Sequence, residues 1–432
     1  VSLRAYLDRL GWSPERLAKE INRVSGPGAI SSKAPYAWLR GSYPRGNTPR
    51  LVAEILGCHL GENVTVEKVW PDKWRHVVPP LPCAKAAVVT QGPLAEALRD
   101  VECGNPPLLA DATVLTVAVD WAGEERARPR SQASGVELTP EVLDLVGTRV
   151  VELRRLQDDR SGPIVLDWAH HDLRWISGLT GGCAYDSAQA AELHRHLAEL
   201  AEIAGWSAID LGRHGCAQRY FLLALRATTA AGARELGAHA LSCLGYLASW
   251  TGDPQGALRL HRIARHGASD SPRRLRALLA CREARAHAML GRRSAFEQAM
   301  DEAVTLAGTD STGPTWLTWV SHATLVAKAG KSWIDLDQPD RAEQELLHSL
   351  PELGSHKPRN QLLHTITLAE ARIRQGNAEG AADVVLAGLD QFAPHLGASR
   401  VRERLAVVRK ALADRGTPAS RTACAAITTI LA

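Results

Sequence analysis

From residue 187 to about 391 one pattern recurs: an apolar helix, a polar turn, and a second helix with a small residue near its start. The first helices are expected to end near Gly205, Gly252, Gly291, Gly330 and Gly376. The small residues are Ala217, Ala257, Ala295, Ala342 and Ala381, at intervals of 40, 38, 47 and 39 residues. ALSCLGYLASWTGDPQGALRLHRIARHG (240–267) and LLHTITLAEARIRQGNAEGAADVVLAGL (362–389) show the unit twice. One helical hairpin cannot bury its apolar face, but stacked hairpins share a continuous core, and Ala or Gly at fixed places lets neighbouring helices approach. The chain is therefore predicted to be all-α, with an α-solenoid over residues 187–415. The 47-residue interval is assigned to an extra segment, Lys331 to Gln338, expected as a longer turn or helix. Residues 397–414 form a capping helix, with Val401, Leu405, Val408 and Leu412 inward and Arg400, Arg402, Arg404, Arg409 and Lys410 outward. The tail 416–432 is expected to fray.

Upstream, Thr139-Pro140 starts a helix whose apolar stripe is Val142, Leu145, Val146, Val150, Leu153 and Leu156. Arg154-Arg155 beside Asp158-Asp159 predicts a solvated, locally paired surface. Residues 138–186 are expected as connecting helices. Residues 73–137 hold many breakers, among them Pro79-Pro80, Pro93 and Pro106-Pro107, and read as a linker with short packed elements. Within it, Leu94–Leu98 predicts a short helix, Leu108–Trp121 a packed helix or strand, and Gly123–Gly135 an exposed stretch. No window of about 18 apolar residues exists, and VSLRAYLDRL lacks the apolar core of a signal peptide, so a cytoplasmic protein with no membrane partner is expected. The eight cysteines form no CxxC pair and are read as small buried side chains rather than disulfides or zinc ligands.

The charge is uneven. Residues 1–80 carry 12 Lys or Arg against 7 Asp or Glu, a net +5, while the remainder is close to neutral. A basic end on a neutral body suggests contact with nucleic acid through that end. Residues 1–72 read as five short helices, with Ser13 as an N-cap before Pro14, Gly11 and Gly41 as stops, and Thr48-Pro49 opening the fourth. The run SPERLAKEI…AISSKAPYAWLRGSYPR, with Leu17-Ala18 and Trp38-Leu39-Arg40-Gly41, resembles the helix-turn-helix of the Xre (Cro/C1-type) repressors. The resemblance implies double-stranded DNA as partner and a recognition helix of about Ser31 to Arg40 lying in the major groove. It places Ser31, Ser32, Lys33, Tyr36 and Ala37 toward DNA, Ile30 and Trp38 inward, and Arg40, Arg45 and Arg50 near phosphates. Two departures stand out. Asn22 to Ala29 make the turn long, and the face has one Lys but no Arg, Asn or Gln for bidentate base reading.

The repeats resemble degenerate tetratricopeptide repeats. Head, linker and repeats together are similar to the peptide-sensing regulators of Gram-positive bacteria. Closer still are the actinobacterial helix-turn-helix and tetratricopeptide regulators of sporulation and antibiotic production, the NsdA-like negative regulators among them. The 42 Arg to 9 Lys fit a GC-rich genome. The resemblance implies a homodimeric transcriptional regulator of development or secondary metabolism, with a peptide or protein ligand in the solenoid groove. Tyr220, Tyr246, Trp250 and Arg285 are the groove candidates. A protein-interaction adaptor with a non-DNA-binding head is the alternative. No GxxxxGK[ST], HExxH or GxSxG occurs, so no enzyme, cofactor or metal is expected. The histidines are read as structural, with His261 near Arg265 and His266 at a helix end where a basic group offsets the dipole.

Overall fold

A computed structural model describes residues 2–25, 28–44, 48–62, 64, 66–70, 106–123, 129–159, 162–308, 314–353 and 357–432. The chain divides into two compact units, Val1–Ala86 and Ala87–Ala432.

The first unit holds α1 (Leu3–Leu10), α2 (Pro14–Ser25), α3 (Ala34–Leu39), α4 (Thr48–Leu60) and α5 (Val66–Val69). Gly11 turns left-handed to close α1, and the Ser13 hydroxyl accepts the Arg16 N–H at 3.3 Å to open α2. Leu3, Leu7, Leu17, Ile21, Val52 and Leu56 form the core, with Trp38 and Trp70 edge to face at 6.5 Å. The expected recognition helix is shorter than Ser31–Arg40. Started at Ser31, it would need an N–H from Pro35 to bond the Ser31 carbonyl, and proline has none. The helix instead begins at Ala34, with Pro35 in its first turn and Ser31–Lys33 as the turn leading in.

Among its described residues the second unit is all-α apart from a two-residue parallel pair, Val136–Glu137 (β1) with Cys183–Ala184 (β2). Among its described residues, α6 (Asp111–Gly123) comes first, then α7 (Pro140–Asp159) and α8 (Pro163–Gly182). Six hairpins follow: α9 (Ser187–Asp210) with α10 (His214–Ala231), α11 (Arg234–Trp250) with α12 (Pro254–Gly267), α13 (Arg273–Met289) with α14 (Arg293–Ala307), α15 (His322–Asp335) with α16 (Pro339–Ser349), α17 (Pro358–Arg374) with α18 (Ala378–Gln391), and α19 (Ser399–Ala413) with α20 (Pro418–Leu431). Each packs on the next, the first four hairpins around one core and the last two around another, which makes this unit an α-solenoid.

Several expectations change in detail. The segment 416–432 does not fray: it is the helix α20, with Ala423 and Ile427 buried against the preceding pair. Gly205 and Gly330 are not turn residues but lie inside α9 and α15. The turns of the first five hairpins fall on Gly212, Gly252, Gly291, Asp337 and Gly376, all with positive φ. The following residue in each donates its N–H five residues back, as Arg213 does to Ala208 at 2.8 Å and Gln338 to Trp333 at 2.8 Å, the Schellman closure. The extra length of the long repeat is not Lys331–Gln338, most of which continues α15. It lies between α14 and α15, where Thr315–Leu317 forms a 3-10 turn.

The predicted element at Leu108–Trp121 is the helix α6. Its Trp121 is buried, with the Arg234 guanidinium 4.2 Å from the ring and donating to the Trp121 carbonyl at 2.7 Å. The described residues of the stretch expected to be exposed, Gly123–Gly135, are mostly exposed, and near its end the Gln132 and Tyr185 backbones exchange hydrogen bonds at 2.8 and 2.9 Å. The predicted helix at Leu94–Leu98 lies outside the described residues.

Candidate nucleic-acid face and ligand cavity

In the first unit a long turn joins α2 to α3, and Asn22 fixes it. The Asn22 side chain accepts the Ile30 N–H at 2.8 Å and donates to the Ile30 carbonyl at 3.0 Å. Both ends of one residue are thereby held by one amide, a clamp that the sequence pattern did not signal. Beyond it, Ser31, Ser32, Lys33, Tyr36 and Arg40 are exposed, Ala37 is half-buried, and Trp38 points into the core. The five exposed groups thus share the turn and short helix expected to face a duplex. Arg45 lies outside the described residues, and of Arg50 only the backbone, in α4, is described.

Two contacts shape this face. The Tyr36 hydroxyl donates to Glu15 Oε1, a bond that lowers the Glu15 carboxyl from its ordinary value and raises the Tyr36 phenol. The Arg40 Nε donates to the Tyr36 carbonyl at 3.3 Å. Elsewhere on the unit Arg9 grips Glu62 through two bonds of 2.7 and 2.9 Å, and the Arg16 guanidinium lies 5.3 Å from the Trp12 ring.

The second unit holds a half-open cavity of about 200 Å³, walled mainly by the first helix of each hairpin together with α7. Three of the four groove candidates line it: Tyr246, Trp250 and Arg285. Tyr220 does not. It is buried, and its hydroxyl meets His170 Nδ1 at 2.9 Å. Five aromatic rings line the wall, those of Trp206, Tyr246, Trp250, Trp316 and Trp319. The last two come from the long insertion before α15.

Several side chains expected at the surface are part of this wall. Arg155 and Asp159 are exposed as expected, but Arg154 pairs with Glu199 at 3.2 Å and approaches Glu202 at 3.7 Å, and Asp158 takes Lys357 at 2.6 Å, so these two are not part of a locally paired surface. Arg400 and Arg404 point inward rather than outward. Arg400 Nε donates to Asp210 Oδ1 at 2.9 Å and Arg404 bonds Glu370 at 2.6 Å. Asp210 also takes Arg359 on its other oxygen, which satisfies a carboxylate that is almost wholly buried. The apolar stripe of α19 was legible. Its charged side was misplaced because a helix with charge on one face looks the same whether that face meets water or a polar cavity.

The histidines here are also buried. His261 sits inside α12 and is pushed down to about 3 by burial and by Arg282, so it is neutral and does not offset the helix dipole. That end of α12 is served by Arg265, which bridges Glu283 and Glu302 at 2.5 and 2.6 Å. Glu202, His239 and Cys243 bring three candidate metal-ligand atoms within 4.8 Å of one another. Their charges are already matched: burial opposes ionisation of both groups, yet the Cys243 thiol and the Glu202 carboxylate raise His239 to about 9, and His239 and Arg154 lower Glu202 to about 2. A dication there would face an imidazolium and a guanidinium.

Residues 3–69 match the family model of the SP15 N-terminal domain. That stretch holds α1–α5 and carries the exposed turn. The matching model is not one of the Xre repressors. No curated protein matches the chain. Among the described residues no helix is long and apolar enough to cross a membrane.

Proposed function

We propose that the chain is a DNA-binding transcriptional regulator of the Xre type. On this reading its first unit meets double-stranded DNA through Ser31–Lys33, Tyr36 and Arg40. Its solenoid, with divergent tetratricopeptide-like hairpins, serves dimerisation and ligand sensing. The carrying observation is the exposure of these residues on a packed helical unit whose net charge is +5 over residues 1–80. Trp38 anchors the short helix from behind, so its outer side is free to enter a groove. One head makes few contacts, and a homodimer supplies the second. The regulated processes are development or secondary metabolism, by the resemblance of the whole plan.

Glu15 favours a second reading, an interaction adaptor. Its carboxylate occupies Tyr36 on the very face a phosphate would approach. The two separate in a salt titration with a pool of DNA duplexes. As a regulator the full chain retains duplexes at about 50–100 mM salt with a steep salt slope, and Lys33→Ala with Arg40→Ala lowers that slope by about two. No retention at any salt concentration, with the fold intact by circular dichroism, would leave the adaptor.

A further inference from the structure

The cavity of the second unit carries far more positive than negative charge. Nine Lys and Arg side chains line it against three carboxylates. Behind the wall, Glu199 pairs with Arg154, Asp335 with Arg285 and Lys331, and Glu370 with Arg404 and Lys331. Counting those three acids still leaves an excess of three cations. Arg282 and Lys328 embody it: among the described residues neither has a carboxylate within ion-pair distance. Arg282 is buried, gives one N–H to the Ser242 carbonyl, and lies 5.6 and 5.5 Å from the Trp206 and Tyr246 rings. The Lys328 ammonium lies 5.3 Å from the Trp319 ring, and burial with its cationic neighbours Arg282, Arg400 and Lys357 lowers it to about 8.

Unpaired charge inside a protein is costly, and a wall built only to hold helices together would be balanced. Two further polar atoms on the wall point the same way. His261 Nδ1 and Arg359 Nε are buried and have no partner, and both residues are more than nine-tenths buried. Beside the cations stand flat rings, with Tyr246 and Trp250 stacked at 6.2 Å and 17°. Guanidinium groups match phosphate oxygens, and aromatic faces accept another flat ring.

We propose that this cavity binds a small phosphorylated molecule bearing a flat ring, a nucleoside di- or triphosphate in its chemistry, with the phosphates at Arg282 and Lys328 and the ring among the aromatic side chains. This deepens the ligand-sensing part of the function proposed above, but it does not depend on the head binding DNA.

The test uses the full chain, with calorimetry and tryptophan fluorescence read against inorganic pyrophosphate, ATP, GTP, adenosine and hexaglutamate. Pyrophosphate and the nucleotides are expected to bind once per chain and more weakly as salt rises, with a nucleotide at least about tenfold tighter than pyrophosphate and adenosine weak. Arg282→Gln and Lys328→Met should each weaken nucleotide binding by about tenfold or more, and the exposed Arg409→Gln should leave it unchanged. Lys328→Met should also raise the melting temperature of the empty protein, because it removes an unpaired cation; this variant carries the test if Arg282→Gln does not fold. The proposal is overturned by any of three results: no binding of pyrophosphate or nucleotide at millimolar concentration, affinities indifferent to both substitutions, or a lower melting temperature for Lys328→Met. Tighter binding of hexaglutamate through the same residues would assign the cavity to acidic peptides instead. Failure of the chain to retain duplex DNA would leave every one of these readouts where it was.

Discussion

His261 and His364 are held neutral inside the solenoid, each pushed down to about 3 by burial and by nearby cations, Arg282 for the first and Lys328 and Arg404 for the second. An unfolded histidine titrates near 6.5. The folded form therefore binds fewer protons than the unfolded form across the interval between, and stability is lost as pH falls from about 6.5 toward 3. Replacing both by Gln should flatten that loss. Urea midpoints at pH 7.5 and pH 5 would show it, and an unchanged drop would place the acid sensitivity elsewhere. The His239–Glu202 pair works with the opposite sign on its histidine. The raised His239 contributes fully below about 6.5 and loses its contribution as pH rises through about 9, while the lowered Glu202 contributes above about 4.5 and loses it as pH falls through about 2. The cost of His239→Gln should therefore be largest near pH 5–6 and small above pH 9. In the first unit, Glu15→Gln removes a negative charge from the exposed face and keeps an amide oxygen to accept the Tyr36 hydroxyl. It should tighten duplex binding several-fold at low salt, and equal affinity would mean that DNA does not meet this face.

At the scale of elements, the spacing of Ala217, Ala257, Ala295, Ala342 and Ala381 marked the second helix of each hairpin, and all five fall there. Glycine was less legible because it has two uses. Gly252, Gly291 and Gly376 supply the positive φ that closes a helix, whereas Gly205 and Gly330 make room for a side chain of the partner helix. A Cβ at Gly205 would stand 2.4 Å from the Phe221 ring, and one at Gly330 would stand 2.7 Å from Leu346. Sequence spacing cannot tell a turn from a close approach when both fall near a helix end. Gly205→Ala should cost about 1–3 kcal/mol by overpacking. Gly252→Ala meets open space but a strained backbone, and should cost less than a packing clash, about 1–2 kcal/mol. Thermal melts of the two variants test the distinction. The Asn22 clamp escaped notice for a related reason: its partner Ile30 lies across a loop, and no periodic signal reports a side chain that bonds backbone eight residues away. Asn22→Ala leaves that backbone unsatisfied, at a cost of about 1–3 kcal/mol.

At the scale of the whole second unit, α19 touches α9 and α17 touches α7, so the array is more than a row of nearest neighbours. Its amphipathic helices were readable because each buries a local apolar stripe. The polar interior was not, since Arg154, Arg359, Arg400 and Arg404 find their acids 34 to 190 residues away. Asp210 is the junction, with Arg359 from α17 and Arg400 from α19 on its two oxygens. A solenoid linked only in sequence order can melt in stages. This one should unfold in a single transition, and Asp210→Ala, which strands two buried guanidinium groups at a cost of about 3–5 kcal/mol, should split it. Calorimetry distinguishes one peak from two.

Asp210 and Arg400 are 190 residues apart in the chain. A ribosome delivers the aspartate long before the arginine that completes it. Until α19 is made, the growing solenoid lacks the arginine that the finished wall places on Asp210. The charged lining can set only once α19 has been made, which makes that helix the step that commits this unit to its final form.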